Sequence, residues 1–463
     1  MPRTPGTRLL LLGLVAFLLA IPLLAVYALV GDRENQSRTA QASIGAGWGG
    51  PQIVSGPILS IPYIRPRTHT ETVDGRTVTQ TDNERAELYV APDSQVVHTR
   101  VDPHTRSRSI YSSVIYLAAL DGVARFELPA NLSRMGIARD QLLLDQAELR
   151  FGVSDPRGLQ QAAAVSVGGR PVALQPGKGP GVSGGAGFSA PIDWTGGTPM
   201  QVSWSYSLRG SHSLALVPRG GETTWDVNSP WPNPSFAGSF LPGESKVGAN
   251  GFSAHYSVSN LALGETLVSS DDPAAPASQA AGSGGVPPSI ATDRVDDGGP
   301  SMAASIGLVE PVDLYSQVDR SVKYGFLFIG FTFLAFFMFD VVGGAPVVTA
   351  EYVLAGAGLV LFFVLLLAFA EVVGFTAAYL VASAAIIGLL TAYSAAVLRS
   401  RRRAGFIGAL LTGLYAVMYV LLSLEALSLL IGSVLLFVAL AGIMYLTRDV
   451  DWSRIGRLED AAV

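Results

Sequence analysis

The chain has 463 residues, 49% of them hydrophobic and only 14% charged, with a formal net charge of −5. Soluble globular domains carry about 25% charged residues, so this composition excludes a purely soluble enzyme, a disordered chain and a coiled coil. There is no basic excess to neutralise phosphates, which excludes nucleic acid as a partner. The absence of cysteine excludes disulfides, thiolate metal sites, a cysteine nucleophile and a lipoprotein anchor.

Residues 1–8 form a short polar start with Arg3 and Arg8, and Leu9 to Val30 is a nearly unbroken apolar run. A helix of that length covers about 33 Å, enough to span a bilayer core. The run is longer than the apolar core of a cleavable signal peptide and has no small-x-small cleavage site, so it reads as a retained anchor. The two arginines place its N-terminus in the cytoplasm. From Asp32 to Gly47 there is no Pro, and no Gly before Gly45, so the helix is expected to continue outward.

Residues 31–322 are a long polar insert with strand signals. Gln201 to Leu208 alternates strictly, with Val202, Trp204, Tyr206 and Leu208 on one face. Arg209 to His212 reads as a turn, after which Leu214 and Leu216 resume the alternation. Phe252, Ala254, Tyr256 and Val258 alternate again. Val73-Asp74-Gly75-Arg76 and Val167-Gly168-Gly169-Arg170 have the composition of two-residue hairpin turns, because Asp-Gly and Gly-Gly tolerate positive φ. The expected fold of the insert is β-rich, antiparallel and sandwich-like. Residues 269–305 are mostly Ala, Ser, Gly, Pro and Asp and read as a flexible low-complexity loop, with order resuming at Ile306. The insert holds 28 acidic and 21 basic residues, which disfavours tight binding to an anionic lipid surface.

Residues 323–447 are predicted to form a bundle of five more membrane helices, at about 324–342, 347–370, 373–397, 405–424 and 426–446. Residues 448–463 are left as a tail. With the N-terminus inside, Arg399, Arg401, Arg402, Arg403, Arg448, Arg454 and Arg457 all fall inside, while the outer turns at Glu371 and Glu425 carry acids. Six transmembrane α-helices, one N-terminal and five C-terminal, therefore satisfy the positive-inside rule, with 31–322 outside.

Chemistry-bearing motifs are sparse. His69, His98, His104, His212 and His255 show no helical metal spacing; His98, Asp102 and His104 read as a solvated strand edge. Gly181-Val182-Ser183-Gly184-Gly185 matches the nucleophile-elbow pattern, and Gly179, Gly181 and Gly184 match a dinucleotide fingerprint. Both fall in a Gly/Pro loop without the required strand and helix. No catalytic residue, cofactor or metal site is predicted. The candidate site is instead a charge cluster at one membrane edge. Arg320 and Lys323 lie at the outer start of the second span, Glu371 and Glu425 at the outer ends of the third and fifth. Charges there are costly unless hydrated or paired, so each acid is expected to pair with Arg320 or Lys323. Tyr415 and Tyr419 share a helix face, and Ala378, Ala382 and Ala385 form a small-residue face.

Several blocks resemble the CreD family of bacterial inner-membrane proteins. They are Trp48-Gly49-Gly50-Pro51, Gly56-Pro57, Ile61-Pro62-Tyr63, Ser109-Ile110-Tyr111, Ser235-Phe236-Ala237-Gly238-Ser239-Phe240-Leu241-Pro242 and Val312-Asp313-Leu314-Tyr315. Further on come Arg320 to Gly325, Phe331 to Phe337, Glu371 to Phe375 and Leu446 to Trp452. The likeness runs in order along nearly the whole chain, and residues 269–305 look like an insertion. The resemblance implies one N-terminal span, a large periplasmic domain and a C-terminal helical bundle. It also implies a role in cell-envelope integrity and in a two-component response to envelope and β-lactam stress, with no known enzymatic activity. The lipid bilayer is the expected partner, together with an envelope component or another membrane protein. Two rivals stand beside this reading: a transporter or flippase-like protein using Glu371 and Glu425, and a stress sensor acting through a cytoplasmic partner.

Overall fold

The computed structural model describes residues 5–73, 76–128, 132–160, 163–272, 302–309, 314–341, 349–397, 400–423 and short pieces between 433 and 445. The chain divides into two compact units, Met1–Ser37 with Val312–Val463, and Arg38–Pro311.

The first element, helix α1 (Pro5–Trp48), is continuous over 44 residues. The expected continuation of the helix beyond the apolar run is therefore present, and it stops where Gly49 adopts a φ of 113°.

The second unit is a sandwich of two sheets. In chain order its strands are β1 (Gln52–Val73), β2 (Arg76–Val90), β3 (Ser94–Arg108), β4 (Tyr111–Phe126), β5 (Ala147–Val153), β6 (Ala164–Val167), β7 (Arg170–Pro171), β8 (Gln175–Pro176) and β9 (Gly187–Ile192). Then come β10 (Met200–Ser211), β11 (Ser213–Val217), β12 (Glu222–Ser229), β13 (Pro234–Gly238), β14 (Glu244–Gly248), β15 (Gly251–Ser259), a one-turn helix α2 (Asn260–Leu263), β16 (Val268–Ser269) and β17 (Ala304–Leu308). One sheet has the order β13-β17-β11-β1-β5-β9-β8, with β2 beside β1 and β16 beside β2; the other runs β14-β15-β12-β3-β4-β10-β6-β7. The sheets are mixed rather than purely antiparallel, because β1 pairs parallel with β11 and β12 parallel with β3.

Inward residues of both sheets meet in one apolar core. Val202, Trp204, Tyr206 and Leu208 all enter it, as their alternation predicts. Trp225 stacks on Tyr256 at 5.0 Å and donates its indole N–H to Thr99 Oγ1 at 2.9 Å, so its one polar atom is satisfied inside the core. Phe151 stacks on Phe188 at 4.8 Å and meets Trp204 edge-on at 5.8 Å.

Both expected hairpins occur. Val73 pairs with Arg76, the two residues between lying outside the described ones. Val167 pairs with Arg170 across Gly168 (φ 54°) and Gly169 (φ 80°), the double positive φ that a tight hairpin requires. The expected turn at Arg209–His212 is corrected. The strand runs on through Ser211, and His212 alone (φ 61°) is the corner at which the chain passes from one sheet to the other. The low-complexity loop is narrower than 269–305 at its ends. Ser269 pairs with Tyr89, and Ala304 and Ser305 already belong to β17; residues 273–301 lie outside the described ones.

The first unit continues with α3 (Leu314–Lys323), α4 (Gly325–Val341), α5 (Thr349–Val373), α6 (Phe375–Val397) and α7 (Arg401–Ser423). Residues 314–322, read from sequence as the end of the insert, form most of α3 and group with the helices. Among the described residues four helices are long and apolar enough to cross a membrane: Leu10–Trp48, Thr349–Val373, Phe375–Val397 and Arg401–Leu422. The second expected span corresponds to the 17-residue α4, and most of the sixth, including Glu425, lies outside the described residues. Arg401, Arg402 and Arg403 open α7 rather than forming a loop before it. Phe362 packs edge-on against Tyr379 (5.5 Å) and Tyr415 (4.7 Å), and the Tyr379 hydroxyl donates to the Tyr415 carbonyl at 2.7 Å. Ala378 and Ala382 are buried in this helix packing, whereas Ala385 is exposed.

Candidate functional site

Glu371 stands two residues before the end of α5, and its side chain is only 11% exposed. The helix ends because Gly374 takes a φ of 80°, with its N–H on the Ala370 carbonyl at 3.0 Å. This is the left-handed C-terminal cap for which glycine is the usual residue. Among the described residues two groups meet the Glu371 carboxylate: the Tyr315 hydroxyl donates to Oε1 at 3.2 Å, and Arg33 Nε lies 4.0 Å from the same oxygen. Tyr315 is presented by α3, whose Tyr315, Val318 and Val322 form a buried stripe at helical spacing.

The two expected bases also have contacts within their own helix. Lys323 Nζ lies 2.6 Å from Asp319 Oδ2, one turn back on its own helix, and 5.8 Å from the Tyr27 ring centre. Arg320 Nε donates to the Ser316 carbonyl at 3.3 Å. An ammonium finds its nearest acid one helical turn away more readily than across a helix interface, which explains the local choice of Lys323. Sequence reasoning missed Arg33 and Tyr315 as partners of Glu371. The apolar spacing of Tyr315, Val318 and Val322 is the signal that marks α3 as an amphipathic helix. Glu425 lies outside the described residues.

In the sandwich, Trp48 anchors the end of α1. Its indole N–H donates to the Tyr116 carbonyl at 3.2 Å, and the guanidinium groups of Arg209 and Arg106 lie 4.4 and 5.3 Å from the ring centre. The next residue must be glycine, since a Cβ on Gly49 would sit 2.7 Å from the Arg209 carbonyl oxygen. Gln52 Nε2 donates to that same oxygen at 3.1 Å.

The outer face of the second sheet carries an ordered row of charges. Cross-strand register aligns Glu244 with His255, His255 with Asp226, Asp226 with His98, and His98 with Asp121. His255 Nδ1 is 2.7 Å from Asp226 Oδ1, and His98 Nδ1 is 3.3 Å from Asp121 Oδ2. Among the described residues no group of three such side chains is placed to hold a metal ion. The nucleophile-elbow match is inert: Ser183 is 5% exposed, and its Oγ lies 2.9 and 2.6 Å from the Pro180 and Ala186 carbonyl oxygens.

On the first sheet, Arg150 pairs with Glu87 at 2.9 Å, and Tyr89 donates to the same carboxylate at 2.7 Å. Burial pushes the Glu87 carboxyl up, but the Tyr89 and Arg150 hydrogen bonds outweigh it and hold the group below its ordinary value. Burial and the Glu87 acceptor push the Tyr89 hydroxyl up to about 12.

The model of the inner-membrane protein CreD family matches residues 4–453. The chain belongs to the CreD family. It is 31% identical over 443 residues to the inner membrane protein CreD of Escherichia coli K12, covering 94% of this chain and 91% of that protein. The CreD-like blocks of the sequence include the Trp48–Gly49 anchor and the Glu371–Gly374 helix end, each with the geometry just described. Among solved structures, M1 zinc metallopeptidase of Deinococcus radiodurans aligns with 37% of the chain and 38% of its own length at 12% identity and a TM-score of 0.20. A mutant form of that enzyme with bound substrate aligns with 37% and 39% at the same identity and score, too low to relate the folds.

Proposed function

We propose that this CreD-family protein supports cell-envelope integrity from the inner membrane and catalyses no reaction itself. The sandwich faces the periplasm and engages envelope components, while six helices, with both termini in the cytoplasm, hold it in the bilayer. One observation carries the reading. A polar sandwich with a complete core of its own lies in sequence between an apolar N-terminal helix and a run of apolar C-terminal helices. The basic residues beside those helices favour the periplasmic side for the sandwich. The buried Ser183 hydroxyl leaves the catalytic motif without a nucleophile to offer.

The test is dye and detergent permeability in a strain lacking the gene, complemented with the full chain or with residues 1–322. Leaky cells restored by the full chain support the reading, and restoration by residues 1–322 assigns the work to the sandwich. Unchanged permeability on deletion, with and without envelope stress, contradicts it.

The shielded Glu371 favours a second reading, a transporter or flippase-like bundle that uses this carboxylate together with Glu425. In that case Glu371→Gln and Glu425→Gln abolish function while the protein still inserts.

A further inference from the structure

An open cleft of about 610 Å³ lies at the β14–β15 hairpin, on the edge of the second sheet, and its size is within the range of small-ligand sites. Cross-strand register builds its floor: Lys246 faces Ser253, Ser253 faces Asn228, and Asn228 faces Arg100. Alternation puts all four on the solvent side of the sheet, since their neighbours Phe252, Val227 and Val101 are buried in the core. Asn250 adds a second amide from the hairpin turn. The lining holds two cations and no acid. Among the described residues, neither the Arg100 nor the Lys246 side chain has a hydrogen bond or an ion pair, whereas Arg65, Arg125, Arg150, Arg157, Arg219 and Lys178 all have carboxylate partners.

We infer that this cleft binds an acidic saccharide lying across the row, its anionic group on the cation at one end, Arg100 or Lys246, and its hydroxyls on the Asn228 and Asn250 amides and the Ser253 hydroxyl. The two exposed cations, at opposite ends of that row, supply charge complementarity for an anionic group at either end. Two amides and a hydroxyl supply the mixed donors and acceptors that sugar hydroxyls need. The next row of the sheet, with Glu244, Asp226 and Asp121, places like charge beside the cleft. Those acids, interleaved with His255 and His98, disfavour a polyanion relative to a ligand with a single anionic group. The inference rests on the reading that the sandwich meets envelope components, and it narrows those components to a chemical class.

The test uses the full chain in detergent micelles with three probes: a disaccharide containing glucuronic acid, its neutral glucose counterpart, and inorganic phosphate. The acidic disaccharide is expected to bind at least about tenfold more tightly than the neutral one, because a hydrogen bond to a charged group is worth at least that factor. Arg100→Gln with Lys246→Gln is expected to remove the difference, and Lys178→Gln, in the loop after β8 of the other sheet, to preserve it. Both cations of the cleft are exposed, and a thermal melt verifies that the variant folds. Equal binding of the acidic and neutral sugars, no binding of either, or binding unchanged in the double variant overturns the inference. Phosphate binding as tightly as the acidic disaccharide also overturns it, since a bare anion site needs no sugar. A double variant that loses sugar binding yet restores permeability leaves the envelope role standing without this ligand. A deletion with no permeability phenotype removes that role whatever the cleft binds.

Discussion

The Tyr315 hydroxyl donates to Glu371 Oε1 across 3.2 Å, tying α3 to the end of α5 through a carboxylate that is only 11% exposed. A hydrogen bond to a charged acceptor in such a setting is worth about 1.5–3 kcal/mol. A double-mutant cycle of Tyr315→Phe and Glu371→Ala is therefore expected to show a coupling of at least about 1 kcal/mol in detergent unfolding. Additive losses would show that the two residues do not act together.

Gly374 caps α5 with a φ of 80°. A Cβ there meets no neighbouring atom, so the penalty for alanine is conformational rather than steric. Gly374→Ala is expected to destabilise the helical unit by about 1–2 kcal/mol. Gly388, inside α6 with open space around it and no positive φ, is the control. Gly388→Ala is expected to cost nothing. The comparison is read from unfolding midpoints in the same detergent.

Trp48 combines an indole hydrogen bond with two overlying guanidinium groups. Trp48→Leu, which removes all three interactions, is expected to cost on the order of 2 kcal/mol. Arg209→Gln alone is expected to cost about 0.5–1 kcal/mol. Protease resistance of the sandwich is the readout, and an unchanged Trp48→Leu profile would show that the anchor is dispensable.

His212 occupies the corner between the sheets, with Nε2 3.3 Å from Ser113 Oγ, and burial holds its imidazole below the ordinary histidine value. At neutral pH it is uncharged in both folded and unfolded chains, and its contribution is fully present. As pH falls below about 6.5, the unfolded chain takes up a proton that the folded chain resists, so stability declines, by at most about 1.4 kcal/mol per pH unit. His212→Asn tolerates the positive φ and carries no titrating group, so it is expected to flatten the decline between pH 7 and pH 5. An unchanged slope in thermal unfolding would locate the acid sensitivity elsewhere.

The sequence made local features legible and long-range ones not. The alternation of Val202, Trp204, Tyr206 and Leu208, the Gly168-Gly169 turn and the outward run of α1 are each written in neighbouring residues, and each is present. The parallel pairs are not written locally: Gln52 meets Leu214, and Glu222 meets Ser94, across more than a hundred residues, and no turn between neighbours specifies either pairing. The His212 corner escaped because a strand that changes sheets keeps its alternation on both sides. At the membrane edge, Glu371 was singled out from its place between apolar runs. Its contact with Arg33 escaped because the two lie at opposite ends of the sequence and no local pattern pairs them.

The periplasmic placement of the sandwich is the claim on which the account turns, and the chain is suited to a direct test because it contains no cysteine. Single substitutions Ser257→Cys, on the exposed face of β15, and Ser400→Cys, beside the basic start of α7, are labelled with a membrane-impermeant maleimide in cells whose outer membrane alone has been permeabilised. Labelling at position 257, and labelling at position 400 only after the inner membrane is opened, is the predicted result. Labelling at 400 with protection at 257 would place the sandwich in the cytoplasm and contradict the account.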